Sequence, residues 1–313
     1  MQPHGRPAVS LDFYTAQSPF TDPGALTPHY AGLPDDPAEL ARVARDLLIH
    51  RGEGEAFGYD IPQDRLHHDA ETRYADDILR LLVERDDAPL ARRRPLQDRF
   101  VGVCRDFALL HCSFLRHRGV PARLRSGFAD YFRADGFHCD HVVTEYWDDR
   151  RGTWLLADAQ LAEPALHGGW DVDFDLMDVP RDRFLVAGEA WRAIRERGAD
   201  PATFGLHPPQ EGPFFGERFV AGNVRLDLAA LNKVETLLWD VWSEEEGVEP
   251  GRPLSKSARV PYDRAALITC GDVPFDAVRQ LFAEDDVLRT PRTVLCMAQY
   301  NGTSEVTLRQ DLP

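Results

Sequence analysis

Apolar residues recur three and four positions apart over some stretches of the chain and alternate with polar ones over others, and the two rhythms predict different elements. "DDPAELARVARDLLIHRG" opens on an Asp-Pro pair and carries its apolar residues at helical spacing, which predicts a helix ending near Gly52. A second helix is expected over "DAETRYADDILRLLVER". From Cys104 to about Arg118 the positions Phe107, Ala108, Leu110, Phe114 and Leu115 again follow three-four spacing, and Gly119 is placed to end that helix. Beyond Pro121 the rhythm changes. "VPARLRSGFADYF" is β-prone, and "HVVTEYWD" and "TWLLADAQL" are extended runs joined by the polar turn "DRRG", the pattern of a β-hairpin. A helix followed by three strands predicts an α+β layer with the helix lying across an antiparallel sheet.

On either side the pattern is mostly helical. "RDRFLVAGEAWRAIRERG" and "RLDLAALNKVETLLWDVWSEEEG" read as helices, the second with Leu228, Leu231, Val234, Leu238, Val241 and Trp242 along one stripe. "PFDAVRQLFAEDD" and "RTVLCMAQY" predict a last helix and strand. Residues 1–36, rich in Pro, Gly, Asp and Thr, are expected to form an arm with little regular structure, and "VWSEEEGVEPGRPLSKSARVP" reads as a linker. The expected organisation is an N-terminal arm and helices (1–94), a core (95–165), a helical extension (166–245) and a C-terminal linker with a small α/β segment (246–313).

Composition narrows the function classes. A chain of 313 residues, 43% hydrophobic and 28% charged, buries a sizeable core, and it has no apolar run near the ~20 residues of a membrane span. Its start lacks a basic segment followed by an apolar one, so a cytoplasmic location is expected. A formal charge of -16 works against any partner gripped through its phosphates, so neither nucleic acid nor membrane is an expected partner. The five cysteines, Cys104, Cys112, Cys139, Cys270 and Cys296, are odd in number and form no tight framework, as reduced thiols would be. "HCDH" at His138 to His141 groups three possible zinc ligands, yet no CxxC pair accompanies them; no metal or cofactor is expected.

The hairpin has a chemical consequence. With its turn centred near Asp149 and Arg150, Glu145 pairs with Trp154, Val143 with Leu156 and His141 with Asp158. Directly opposed side chains on one face have Cβ atoms about 4.5–5.5 Å apart, close enough for a carboxylate to accept from an imidazole N–H. A one-residue slip would separate them onto opposite faces. A histidine oriented by an aspartate presents its other nitrogen as a base. Cys104 stands at a helix N-terminus, which favours negative charge, and an adjacent imidazolium favours the thiolate further. Cysteine, base and orienter in this relation make a nucleophile for acyl chemistry. Cys112 lies deeper in the same helix and reads as core; Cys139, at a strand entry, is poorly placed to attack beside its own neighbour; Cys270 and Cys296 have no nearby histidine.

"GVCRDFALLHCSFLRHRGVPARLRSGF", then "DHVVTEYWD" and "TWLLADAQL", resembles the core of the transglutaminase-like superfamily, with a cysteine at a helix start and a histidine and an aspartate on successive strands. The resemblance covers about residues 95–162 and implies a papain-like core in which Cys104 is the nucleophile, His141 the general base and Asp158 the orienting carboxylate. "FLVAGEAWRAIRERGADPATFGLH" and the helix after it resemble what bacterial members carry beyond the core. The resemblance implies an oxyanion hole built from the Cys104 N–H and a second donor. Gln97, seven residues before Cys104, is similar to the glutamine of papain-like enzymes and equally reads as a loop residue. Trp147, on the strand face of His141, is expected either to wall a substrate channel or to pack in the core.

The expected function is a thiol-dependent acyl enzyme acting on a peptide or small-molecule amide or ester through a thioester, with water or an amine as acceptor. The alternatives are a non-catalytic binding module that keeps the fold and a zinc protein using Cys139 and His141.

Overall fold

The first helix lies where the sequence predicts an irregular arm. The computed structural model describes residues 8–242 and 252–309, and in it α1 (Ala8–Thr15) buries Tyr14, whose hydroxyl donates to the Leu231 carbonyl at 2.8 Å. A tertiary anchor holds this segment where its own pattern predicts no helix. Residues 1–7 of the expected arm, and residues 243–251 of the expected linker, lie outside the described residues.

α2 (Pro37–Leu47) starts as its sequence predicts, with Asp36 Oδ1 accepting from the N–H groups of Ala38 and Glu39 at 3.0 and 3.1 Å. It stops five residues before Gly52, because Leu48–His50 forms a strand, β1. α3 (Gln63–His68) and α4 (Ala75–Arg85) follow, then β2 (Phe100–Gly102), which pairs in parallel with β1. β2 runs directly into α5 (Cys104–His117).

The central sheet then builds in antiparallel order from β3 (Ala122–Ala129), β4 (His138–Asp148) and β5 (Thr153–Ala157), with β6 (Phe184–Val186) on the other edge of β3. α6 (Ala187–Arg197), the short strand β7 (Phe204–Gly205) beside β4, and α7 (Glu217–Leu231) close this part of the chain. The helix expected over 225–247 thus begins earlier and ends earlier: Lys233 takes a left-handed φ of 63°, and β8 (Asp240–Val241) follows, fixed by a bidentate contact of Asp240 with Arg73 at 2.6 and 3.0 Å. Val234, Leu238, Val241 and Trp242 therefore lie beyond the helix, which keeps only Leu228 and Leu231 of the expected stripe. α8 (Lys256–Thr269), which the sequence did not mark, α9 (Phe275–Glu284) and the hairpin β9 (Thr293–Ala298) and β10 (Gly302–Thr307) complete the order. The result is α+β, with α5 and α7 packed on an antiparallel sheet and a main core that draws residues from Phe20 to Leu308. No helix among the described residues is long and apolar enough to cross a membrane.

Gly127 fixes how closely the strands approach around His141. It stands opposite His141 on β4 and Val186 on β6, and a Cβ built on it would lie 2.2 Å from the Leu185 carbonyl oxygen and 2.9 Å from Phe184 Cζ. The Phe184 ring occupies the space a side chain would take, 6.2 Å from the His141 ring. Gly127→Ala should therefore cost about 1–3 kcal/mol through forced displacement of β6. Urea denaturation should show a lowered midpoint with an unchanged slope, and an unchanged midpoint would contradict this packing.

Candidate active site

The first turn of α5 is built to hold Cys104 in one place. Val103 is extended, and Asp106 folds back so that its Oδ2 accepts from the Val103 N–H at 2.9 Å, satisfying a donor the helix start would leave open. Arg105 Nη1 holds the other oxygen of Asp106 at 2.9 Å while its Nη2 reaches the carbonyls of Arg73 and Glu235. Burial pushes the Asp106 carboxyl up, and the Arg105 guanidinium and the Val103 N–H work against that shift. Thr144 Oγ1 donates to the Ala108 carbonyl at 3.1 Å, tying α5 to β4. Cys104 itself is buried, 7% exposed.

His141 and Asp158 meet, but not as directly opposed partners. β4 and β5 pair Thr144 with Ala157, Glu145 with Leu156 and Trp147 with Trp154, two positions away from the expected register, because the turn runs through four residues, 149–152. A shift of two preserves the face of every side chain. Asp158, one residue past the end of β5, reaches diagonally to His141, and Nε2 and Oδ2 lie 2.7 Å apart. The same Oδ2 accepts from the Tyr131 hydroxyl at 2.7 Å, and Oδ1 accepts from the Gln160 N–H at 3.0 Å. Both carboxylate oxygens are thereby committed, and the plane of the carboxylate is fixed.

Aromatic rings exclude water from this bond. Phe132 meets the His141 ring edge-on at 4.8 Å between centroids, Tyr131 does so at 6.1 Å, and Trp170 backs Phe132 at 5.1 Å. The side chains of His141 and Asp158 are 2% and 1% exposed. Burial disfavours the charged imidazole, but the Asp158 carboxylate and then the Cys104 sulfur outweigh it and raise His141 well above the ordinary histidine range. The Cys104 sulfur is among the groups that raise His141, and with Nε2 held by Asp158, Nδ1 is the nitrogen left for a thiol. Burial also raises the Tyr131 hydroxyl, with Asp158 adding to the shift, so tyrosine acts as a donor here.

The remaining expectations fall in various places. Trp147 lies six residues along β4 from His141, its ring against Trp154 at 5.7 Å and its Nε1 donating to Asp149 at 2.9 Å, so it lines the hairpin end and not the surroundings of Cys104. Gln97 is exposed on a 3-10 turn, where its backbone carbonyl accepts from Arg65 at 2.8 Å, as the loop reading has it. Burial raises the thiols of Cys112, Cys139 and Cys270 to about 12 and that of Cys296 to about 11. Strand alternation splits "HCDH": His138 stacks on Phe204 at 4.6 Å while His141 turns to Asp158. Among the described residues no three His, Cys, Asp or Glu side chains converge as a metal-binding group. Tyr131, Phe132 and Gln160 escaped the sequence reading. Gln160 sits in the quoted run "ADAQL", two residues from Asp158, but nothing in the pattern marks Tyr131, which reaches the site only through the fold.

The raised His141 sets a sign for pH. Its contribution to stability is complete below the ordinary histidine value, about 6.5, and is lost as pH climbs through the higher value of the folded protein. The stability gap between wild type and His141→Gln, measured by urea unfolding, should therefore shrink from pH 6 to pH 10. A gap that widens over that range would contradict the pairing.

Residues 84–159 match the family model of the transglutaminase-like superfamily. None of the curated proteins matches the chain. Among solved structures, a candidate cysteine protease from Cytophaga hutchinsonii aligns with 16% identity and a TM-score of 0.33, over 53% of this chain and 47% of that one, so the chain spans about half of its length. The matched segment, which carries Cys104, His141 and Asp158, is thus similar to the core of the transglutaminase-like superfamily.

Proposed function

We propose that the protein is a thiol-dependent acyl enzyme with Cys104 as nucleophile, His141 as acid and base, and Asp158 as the carboxylate that orients His141. The observation that carries this reading is the buried His141–Asp158 hydrogen bond at 2.7 Å, which spends Nε2 and leaves Nδ1 for the Cys104 thiol. A buried charged pair contributes little to stability relative to well-packed apolar residues, so its presence beside a thiol points to chemistry.

In the proposed reaction His141 already holds the proton, and the sulfur of Cys104 attacks as a thiolate at the carbonyl carbon of an amide or ester. The tetrahedral intermediate collapses as His141 gives the proton to the leaving amine or alcohol, and a thioester remains. His141 then takes a proton from water or an amine, which attacks the thioester and releases Cys104. An acid results with water, a new amide with an amine. Cys104 is 7% exposed and His141 2%, a depth that suits a slender peptide or small-molecule acyl chain better than the surface of a folded protein.

The test is turnover of a panel of p-nitroanilides and p-nitrophenyl esters, with and without added amines. Cys104→Ala should abolish turnover and Asp158→Asn should lower kcat by roughly 10⁴, as expected for a base held in the wrong tautomer. Full activity in Cys104→Ala would overturn the assignment, and unchanged kcat in a folded Asp158→Asn would remove Asp158 from it.

A further inference from the structure

Acyl transfer by Cys104 places negative charge on the carbonyl oxygen, and one backbone N–H at the start of α5 is half of what such a site needs. Gln97 does not supply the other half, being exposed on its turn. Gln160 Nε2 is committed to Glu53 Oε1 at 3.2 Å. Arg45, also buried nearby, is salt-bridged to Glu53 at 2.8 Å and enclosed between the rings of Phe57 and Phe107.

His50 is placed differently. β1 and β2 pair in parallel with His50 opposite Gly102, so the histidine backbone lies about 4.8 Å from a residue two positions before Cys104. Its main chain is tied to the candidate site through a continuous set of hydrogen bonds: the His50 N–H donates to Glu53 Oε2 at 3.1 Å, Glu53 Oε1 accepts from Gln160, and the Gln160 N–H donates to Asp158. The ring is also fixed. Nδ1 accepts from the Gly52 N–H at 3.1 Å, which puts the ring proton on Nε2 and leaves that N–H without a partner in the loop.

We propose that His50, through Nε2–H, is the second donor to the carbonyl oxygen during acyl transfer, working with the backbone N–H of Cys104. This inference rests on the thiol acyl reading of Cys104. The surroundings keep His50 neutral: burial, then the charges of Arg51, His141 and Arg45, push it down to about 3. A neutral imidazole donates one N–H in a fixed direction and releases no proton to the oxygen it binds, as an oxyanion donor requires.

Two reactions of the same thiol separate this donor from the rest of the machinery. Acylation of Cys104 by p-nitrophenyl acetate passes through an oxyanion, whereas alkylation by iodoacetamide is a displacement at carbon that does not. Both are followed on the full chain by intact mass spectrometry, with p-nitrophenolate release for the first. His50→Ala should slow acylation by about 10²–10³ and leave alkylation of Cys104 within twofold of wild type. His50→Gln, which keeps an N–H donor, should recover part of the acylation rate, and circular dichroism melting should show all variants folded. Unchanged acylation in His50→Ala overturns the proposal. Equal loss of acylation and alkylation overturns it too, since His50 would then act on the Cys104–His141 pair. Wild type that alkylates rapidly at Cys104 but is not acylated would also refute it, whereas failure of rapid alkylation in wild type would strike the acyl reading itself.

Discussion

A hydrogen bond between two groups almost wholly removed from water, His141 and Asp158, is the constraint around which this part of the molecule is arranged. Leaving either partner unpaired in such surroundings would cost about 3–5 kcal/mol. The structure meets this with complete coordination: Tyr131 and the Gln160 N–H take the remaining acceptor capacity of Asp158, and Phe132, Phe184 and Trp170 close the rings around them. Gly127 has no side chain because a Cβ there would run into the Leu185 carbonyl of β6 and the Phe184 ring. The same bond takes up Nε2 of His141 and leaves Nδ1 outside it, while the position of Cys104 is set by Asp106 and by the contact of Thr144 with α5.

The electrostatics of the cysteines follow from the same arrangement. Cys112, Cys139, Cys270 and Cys296 are raised chiefly by burial, and the charges around them do not reverse that shift. Cys104 alone among the five combines a helix start with a charged histidine partner. Cys139 shows that proximity in sequence is not enough: it is two residues from His141, on the same strand, and burial still holds it as a thiol.

Much of this was legible in the sequence, for physical reasons that differ by residue. The α5 helix and the β4–β5 hairpin were readable because their apolar periods are unbroken, and the presence of His141 and Asp158 on one face survived a register error of two because side-chain direction repeats every second residue. Trp147 shares that face with His141 but not its position along the strand, a distinction that periodicity does not carry. His50 and Tyr131 were invisible for another reason. His50 sits at the end of a run that reads as helix, and only the parallel pairing of β1 with β2, a contact across about fifty residues, makes it a strand and brings it beside Gly102. The expected helix through Val241 failed likewise: α7 ends at Leu231, Lys233 turns into the left-handed region, and Arg73, distant in sequence, holds Asp240 in a strand.

The measurement closest to the central claim is the rate at which iodoacetamide alkylates native Cys104 at pH 7, with the modified residue identified by mass spectrometry, in wild type and in His141→Ala. The account predicts that Cys104 reacts before the other four cysteines in wild type and slows by on the order of tenfold or more once the imidazole is gone. Equal rates in the two proteins would contradict it and leave Cys104 as a packing residue at the head of a helix.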